Sequence, residues 1–318
     1  MFGIVVVDLT TKCNFKCPHC LRGKRAPQDL SMDLLDKFYT EGHDVDLGLV
    51  SISGGEPILH DHFFENIDLI VRHGYKFNYV SNGYLYKEYE DVLKYREKLE
   101  CMIVSIDGVT KESYSKMRGD IGFERAWEAV KFYSDKGVYM KVQVVLSGAN
   151  QHESEELVEK AVKYGAKEIS FTGIITEYDD TYALTQEQKS ECWNRIAISA
   201  RRYNIAVTRC AALGNFGGID FCRALTATCA PRLSPTGDFY TCCDIWKDDI
   251  SVGNIADVSY GELFQRAIII NGYLRALRLK YFKEESNKVG FNSCEFCVKH
   301  IEEAMSMYKD KVYDKVLC

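Results

Sequence analysis

This sequence is poor in proline, with five in 318 residues, and no stretch rich in proline, glycine or serine divides it. It therefore offers no candidate for a flexible linker between separate halves. It has no apolar run of the roughly 18 residues that a membrane-spanning helix needs. The apolar start, at 2–9, lacks a basic leader and contains Asp8, so it reads as a first strand and not as a signal peptide. A cytoplasmic location is expected, with no membrane partner. Excess basic charge is missing too: 40 Lys and Arg face 46 Asp and Glu, a net charge of −6. That argues against a broad nucleic-acid footprint, and the short basic run of Arg22, Lys24 and Arg25 reads as a solvated loop. Internal repeats and low-complexity tracts are also lacking.

Cysteine, in contrast, is abundant. Thirteen is a high and odd number for a chain expected in a reducing compartment, where disulfides do not persist. Three fall within 13–20, four between 222 and 243, and two at 294 and 297. Clustered thiols in such a chain point to metal. Cys101, Cys192 and Cys210 stand alone and read as plain buried thiols.

The first 175 residues alternate strand and helix. Short apolar, β-branched runs at 4–8, 49–53, 78–81, 102–106, 141–146 and 168–172 have the character of buried parallel strands. Helical periodicity fills the intervals at 32–39, 63–73, 88–99, 123–135 and 155–164. Gly74, Gly137 and Gly165 follow three of these helices, where a C-cap glycine belongs. The class is α/β, a parallel sheet, curled or open, with helices outside. A longer helix is expected over 186–203, opened by a capping box of Thr185 and Gln188. A hairpin then turns at Pro235-Thr236-Gly237, and helices are expected at 260–267, at 274–283 and at the C-terminus. The boundary is placed near 205, giving domains of 1–204 and 205–318.

Directly after the first strand stands Cys13-x3-Cys17-x2-Cys20. Three thiolates so close can wrap one iron–sulfur cubane, one fewer than a saturated [4Fe–4S] site uses, which leaves one iron for an outside ligand. Two other readings compete: a zinc knuckle completed by His19 or a remote ligand, and a ferredoxin-like cluster with a distant fourth cysteine. Later strand ends add weight to the open cubane. Ser53-Gly54-Gly55-Glu56-Pro57, Ser81-Asn82-Gly83 and Ser105-Ile106-Asp107-Gly108 end the second, third and fourth strands. Parallel barrels place ligands at those carboxyl ends, glycine lets backbone approach them, and Glu56 can accept from an ammonium group.

With these motifs the first 175 residues resemble the radical S-adenosylmethionine (SAM) superfamily. Cys13, Cys17 and Cys20 match its cluster motif, and Gly54, Gly55, Glu56 and Pro57 match its SAM-amine motif. Ser105 and Arg118 match positions that help relatives hold SAM's ribose and carboxylate. The resemblance implies a partial (β/α)6 TIM-like barrel. It also implies reductive cleavage of SAM to a 5′-deoxyadenosyl radical, with Ser81, Asn82 and Asp107 near the cofactor. His19 stands where an aromatic residue often contacts adenine. An electron donor such as a flavodoxin or ferredoxin is implied as a partner.

Cys222, Cys229 and Cys242 span the expected hairpin, and Cys294-x2-Cys297 follows. On the residues alone, zinc and iron–sulfur are equally good occupants. The second half, however, resembles the SPASM/twitch extensions of radical SAM enzymes, where a hairpin and a C-x2-C pair hold an auxiliary [4Fe–4S] cluster in a small α+β domain. At the two positions where a full SPASM domain carries further cysteines, this chain has Glu303 and Met307. The resemblance therefore implies one auxiliary cluster. Its ligands are drawn from Cys222, Cys229, Cys242, Cys294 and Cys297, with the choice between Cys222 and Cys229 left open. Cys243 is a spare beside a ligand, either a bystander or a hydrogen-atom donor to substrate.

Relatives of this architecture act mainly on ribosomally made peptides or proteins, by crosslinking, oxidation or epimerisation, and a smaller set dehydrogenates small molecules. A peptide substrate is expected. The chain begins at its first barrel strand without a leader-binding domain, which keeps the small-molecule dehydrogenase as the second reading. A non-catalytic Fe–S or zinc protein is a third, disfavoured by the motif at 54–57.

Overall fold

The computed structural model describes residues 3–23, 25–176, 180–214, 222, 230–281 and 291–315. Six strands follow one another in parallel: β1 (Gly3–Asp8), β2 (Leu47–Ser53), β3 (Lys76–Ser81), β4 (Leu99–Ser105), β5 (Met140–Leu146) and β6 (Glu168–Gly173). Helices α1 (Met32–Glu41), α2 (Phe63–Arg72), α3 (Lys111–Arg118), α4 (Phe123–Asp135) and α5 (Ser154–Lys163) lie among them. The strands bury Val5, Val7, Val50, Ile52, Phe77, Tyr79, Val104, Val142, Val144, Ile169 and Phe171. These residues alternate along each strand and are in register from strand to strand, so they share one face of the sheet.

Helix α6 (Gln186–Tyr203) has the expected bounds, and its Thr185–Gln188 capping box is formed. The sheet continues past residue 205: β7 (Ala206–Arg209) pairs in parallel with β6. The hairpin is present as β8 (Arg232–Leu233) and β9 (Asp238–Tyr240), and β10 (Gly253–Asn254) lies beside β9. β8 also pairs in parallel with β1. The described strands thus form one sheet in the order β10-β9-β8-β1-β2-β3-β4-β5-β6-β7.

Two long helices complete the chain, α7 (Tyr260–Lys280) and α8 (Ser293–Lys315). Helix α8 packs on α7, and the start of α7 sits against the barrel through α1. The Phe38 and Tyr260 rings are 4.3 Å apart, Lys37 Nζ donates to the Ile255 carbonyl at 2.6 Å, and the Tyr260 N–H donates to Glu41 at 2.6 Å.

Three elements depart from the expectation. The helix expected over 88–99 is a 3₁₀ helix, Tyr86–Tyr95, and β4 begins at Leu99. Its buried residues, Tyr86, Tyr89 and Val92, recur every third position, which is the period of a 3₁₀ turn. The two helices expected at 260–267 and 274–283 are one, because the mid-helix Asn271 side chain donates to the Thr241 carbonyl at 3.3 Å, a tertiary contact that offsets poor propensity. Helix α3 was not foreseen. It is capped by Thr110, and buried Glu153 anchors its start by accepting from the Val109 N–H and the Thr110 and Ser113 hydroxyls.

Candidate functional site

The loop bearing Cys13, Cys17 and Cys20 leaves the carboxyl end of β1. Two backbone bonds tie its entry to the glycines after β2: the Gly55 N–H donates to the Thr10 carbonyl at 2.6 Å, and the Glu56 N–H to the Lys12 carbonyl at 2.8 Å. The approach is close enough to require glycine. A Cβ at Gly54 would lie 2.6 Å from the Thr10 oxygen and at Gly55 2.0 Å from the Lys12 oxygen, and Gly54 has φ of +128°. The Gly-Gly pair therefore sets the position of the cysteine loop. Pro57 follows as the first residue of a 3₁₀ turn, where its missing N–H costs nothing.

The Glu56 carboxylate is buried and accepts from the Ser81 hydroxyl at 2.7 Å, from the Asn82 N–H at 2.9 Å and from the Tyr89 hydroxyl. It pins the ends of β2 and β3 together. Three bonds leave room for roughly one more on a carboxylate with about four acceptor sites. Burial raises its pKa, and the Asn82, Ser81 and Tyr89 bonds oppose that rise. The Asn82 side chain reaches Asn14 in the cysteine loop at 2.8 Å.

Beside Cys17 lies a second polar group. Asp107, after β4, is fully buried, accepts from the Val145 N–H at 2.7 Å, and faces Arg118 at 2.6 Å and His19 at 3.5 Å. Arg118 is the last residue of α3, so that helix delivers its guanidinium to the strand ends. Ser105 is half-buried at the end of β4, in register with Gln143. Burial pushes the Cys17 thiol up to about 11, with Arg118 opposing, and burial also raises Cys13.

A second set of thiols surrounds one pocket lined by Cys222, Cys242, Cys294 and Cys297, with Asp244 in its wall. Cys294 and Cys297 lie three residues apart in the first turn of α8, hence on one helix face. The Asn292 side chain caps that turn, accepting from the Cys294 N–H at 3.0 Å and the Glu295 N–H at 3.2 Å. Cys242 follows β9. The Cys294 thiol donates to Asp244 at 3.3 Å, and Cys242, Cys243 and Asp244 offer donor atoms within 4.8 Å of one another. Cys229 lies outside the described residues. Burial holds the Cys294 and Cys297 thiols well above their ordinary range, and neighbouring Asp244, Cys222 and Cys242 add to it. Four thiolates could crowd this pocket only around a cationic centre. Cys192 is buried and Cys101 and Cys210 are partly so, and no disulfide occurs among the described residues.

Three residues here carry no signal in the sequence: Asn14, Tyr89 and Asp244 join the sites through contacts distant along the chain.

The Radical SAM superfamily matches residues 7–161. The chain therefore carries a radical SAM domain. Over 82% of its length it is 27% identical to mycofactocin maturase MftC of Mycolicibacterium smegmatis, covering 69% of that protein. Over 82% it is 26% identical to the antilisterial bacteriocin subtilosin biosynthesis protein AlbA of Bacillus subtilis, covering 59% of it. Streptococcus suis SuiB bound to precursor peptide SuiA has the same fold, with a TM-score of 0.74 at 14% identity over 95% of this chain and 73% of that one. So does anSMEcpe with bound AdoMet and Cp18Cys peptide, at 0.69 and 16% over 97% and 99%. The chain thus spans 69% and 59% of these two relatives' own lengths. No helix among the described residues is long and apolar enough to cross a membrane.

A radical SAM protein uses a [4Fe–4S] cluster and SAM, and the residues present suit both. Three unpaired thiols share one short loop at the ligand end of the sheet. In the same loop Asn14 Nδ2 is buried without a hydrogen-bond partner, as expected where the surroundings are shaped for a further acceptor. The four-thiol pocket likewise fits an auxiliary cluster.

Proposed function

We propose that this enzyme matures a ribosomally made peptide, with Cys13, Cys17 and Cys20 holding the SAM-binding cluster and Cys222, Cys242, Cys294 and Cys297 an auxiliary one. The carrying observation is the four-cysteine pocket joined to a radical SAM barrel by a continuous sheet. The mycofactocin maturase and the bacteriocin biosynthesis protein named above support the peptide substrate.

When bound, the cluster and SAM supply reductive cleavage of SAM and removal of a hydrogen atom from substrate. The chain's own residues position and shield. Gly54 and Gly55 bring the strand end against the cysteine loop. Glu56 locks Ser81 and Asn82, leaving one acceptor position for SAM's ammonium. Asp107 orients Arg118 and His19, and the guanidinium suits SAM's carboxylate. Ser105 stands at the neighbouring strand end for the ribose. The N-terminal turn of α8 places its positive end at Cys294 and Cys297, which favours thiolate ligands. A low-potential flavodoxin or ferredoxin delivers the electron, in the reducing cytoplasm that so many free thiols suit.

The test uses anaerobically reconstituted protein with SAM, dithionite and the short peptide encoded nearest its gene. The expected result is 5′-deoxyadenosine together with a mass change in the peptide. Deoxyadenosine formation with no peptide tested, but turnover of a small alcohol or amine, would replace the peptide reading with dehydrogenation.

A further inference from the structure

Between the two cysteine sites lies a buried charge group that the chemistry above does not use. Asp8, at the end of β1, is buried and receives two guanidiniums: Arg22 Nη2 at 3.2 Å from one carboxylate oxygen and Arg232 Nη1 at 3.3 Å from the other. Arg22 stands two residues after Cys20 and also donates to the Ser53 hydroxyl at 2.7 Å. Arg232 belongs to β8 and donates to the Ile245 carbonyl at 3.0 Å. Both cations lie on one ring, Trp246, at 4.9 Å and 3.8 Å from its centroid. The Trp246 indole in turn donates to the Cys243 carbonyl at 2.9 Å. An unbroken chain of contacts therefore runs from the first cysteine loop to the segment carrying Cys242 and Cys243.

Two permanent cations share one carboxylate, so the group keeps a surplus positive charge, with Asp8 and Arg232 buried and Arg22 partly exposed. Burying such a surplus is costly unless something negative faces it. Arg22 interacts electrostatically with Cys13 and Cys20 on one side and with Asp244 on the other. Iron–sulfur clusters on thiolate ligands are anionic, and adding an electron makes them more so.

We infer that Arg22 and Arg232, clamped on Asp8 and Trp246, form a fixed cationic bridge that holds the two cysteine sites in register and raises the reduction potential of both clusters. The inference rests on the two-cluster reading above. Each reduction is a one-electron addition from an external low-potential donor. Arg22 is here a positioning residue.

The experiment is a dithionite potentiometric titration of the reconstituted protein, followed by electron paramagnetic resonance. Iron and sulfide are counted first, and failure of the wild type to reach about eight irons refutes the two-cluster reading on its own. With full loading, Arg22→Gln is expected to shift both midpoint potentials negative. Arg22→Lys, which keeps the charge, should stay near wild type, and Arg96→Gln, at an exposed arginine before the amino end of β4, should leave both unchanged. Asp8→Asn is the second variant should Arg22→Gln not load its clusters. It removes the negative charge and must shift the potentials in the positive sense. Unmoved potentials in a fully loaded Arg22→Gln or Asp8→Asn protein overturn the inference, as does a shift confined to one cluster.

Discussion

Replacing Gly55 by alanine tests how the SAM-amine motif works in this chain. The added Cβ would lie 2.0 Å from the Lys12 carbonyl oxygen, 2.6 Å from its carbonyl carbon and 3.0 Å from the Thr11 carbonyl carbon, all backbone. Ordinary contact begins at 3.4 Å, so the chain at Lys12 must retreat by about 1.4 Å. Such a retreat breaks the Glu56 N–H bond to the Lys12 carbonyl and strains the Gly55 N–H bond to Thr10. Losing those bonds costs roughly 1 kcal/mol each, and overpacking adds about 1–3 kcal/mol. The expected destabilisation is about 3–5 kcal/mol, within the ~5–15 kcal/mol that folds a domain. The protein should fold but carry a displaced Cys13 loop. Urea unfolding of the cluster-free protein reads the stability, and iron content after reconstitution reads the loop, with about four of eight irons expected to be lost. Gly272, whose Cβ would meet nothing within 4 Å on α7, is the control. Gly272→Ala should stabilise by up to about 1 kcal/mol. If Gly55→Ala loads full iron and costs under about 1 kcal/mol, the glycine pair does not set the loop and the steric argument fails.

Four further outcomes follow from the same geometry. Replacing Cys13, Cys17 and Cys20 together by Ala should remove about four irons of eight and abolish deoxyadenosine formation, while the iron held by the second pocket remains. Cys17, raised to about 11, is almost wholly protonated at pH 7 in cluster-free protein. Its thiolate fraction then grows roughly tenfold per pH unit, so alkylation at Cys17, measured by peptide mass spectrometry, should rise steadily from pH 7 to 10; a plateau by pH 8 would contradict the burial argument. Arg232→Met should cost about 1.5–3 kcal/mol in urea unfolding, because Asp8 loses one charged hydrogen-bond donor while Arg22 stays on it. Cys243→Ala should leave both clusters and most turnover intact; deoxyadenosine without product would instead assign the thiol as hydrogen donor.

The barrel was legible because its signals are local. Six short apolar runs became β1 to β6, and Thr185 and Gln188 gave the start of α6. The cysteine loop and the strand-end glycines could also be read directly, since spacing alone puts them at the ligand end of a parallel sheet. What escaped is held by tertiary contacts. The 3₁₀ segment follows a three-residue burial period set by packing, with Tyr89 drawn to Glu56. Helix α3 is short and is anchored by Glu153, forty residues away from Ser113. Partners so far apart in sequence leave no periodic trace. Glu56 shows the same limit: its residue type suggested an ammonium acceptor, whereas its neighbours reveal a carboxylate already engaged with three donors.

The sheet order gives the largest gain over the sequence. A boundary near 205 follows from the change of pattern there, yet β7 extends the barrel on one edge and β8 docks beside β1 on the other. β8 runs parallel to β1 and β9 antiparallel to both, so the turn after β9 leaves toward the amino end of β8. The first cysteine loop leaves β1, and the turn carrying Cys242 leaves β9, the antiparallel neighbour of β8. A short strand pair of this kind is weak alone. Its attachment to β1 is reinforced by Arg232, which joins the sheet pairing to a buried ion pair on Asp8. Moving the second site relative to the first would therefore break backbone pairing and expose an unpaired charge together. The separation of the two thiol sets is fixed by the residues that attach β8 to β1, so their relative position is a property of the continuous sheet.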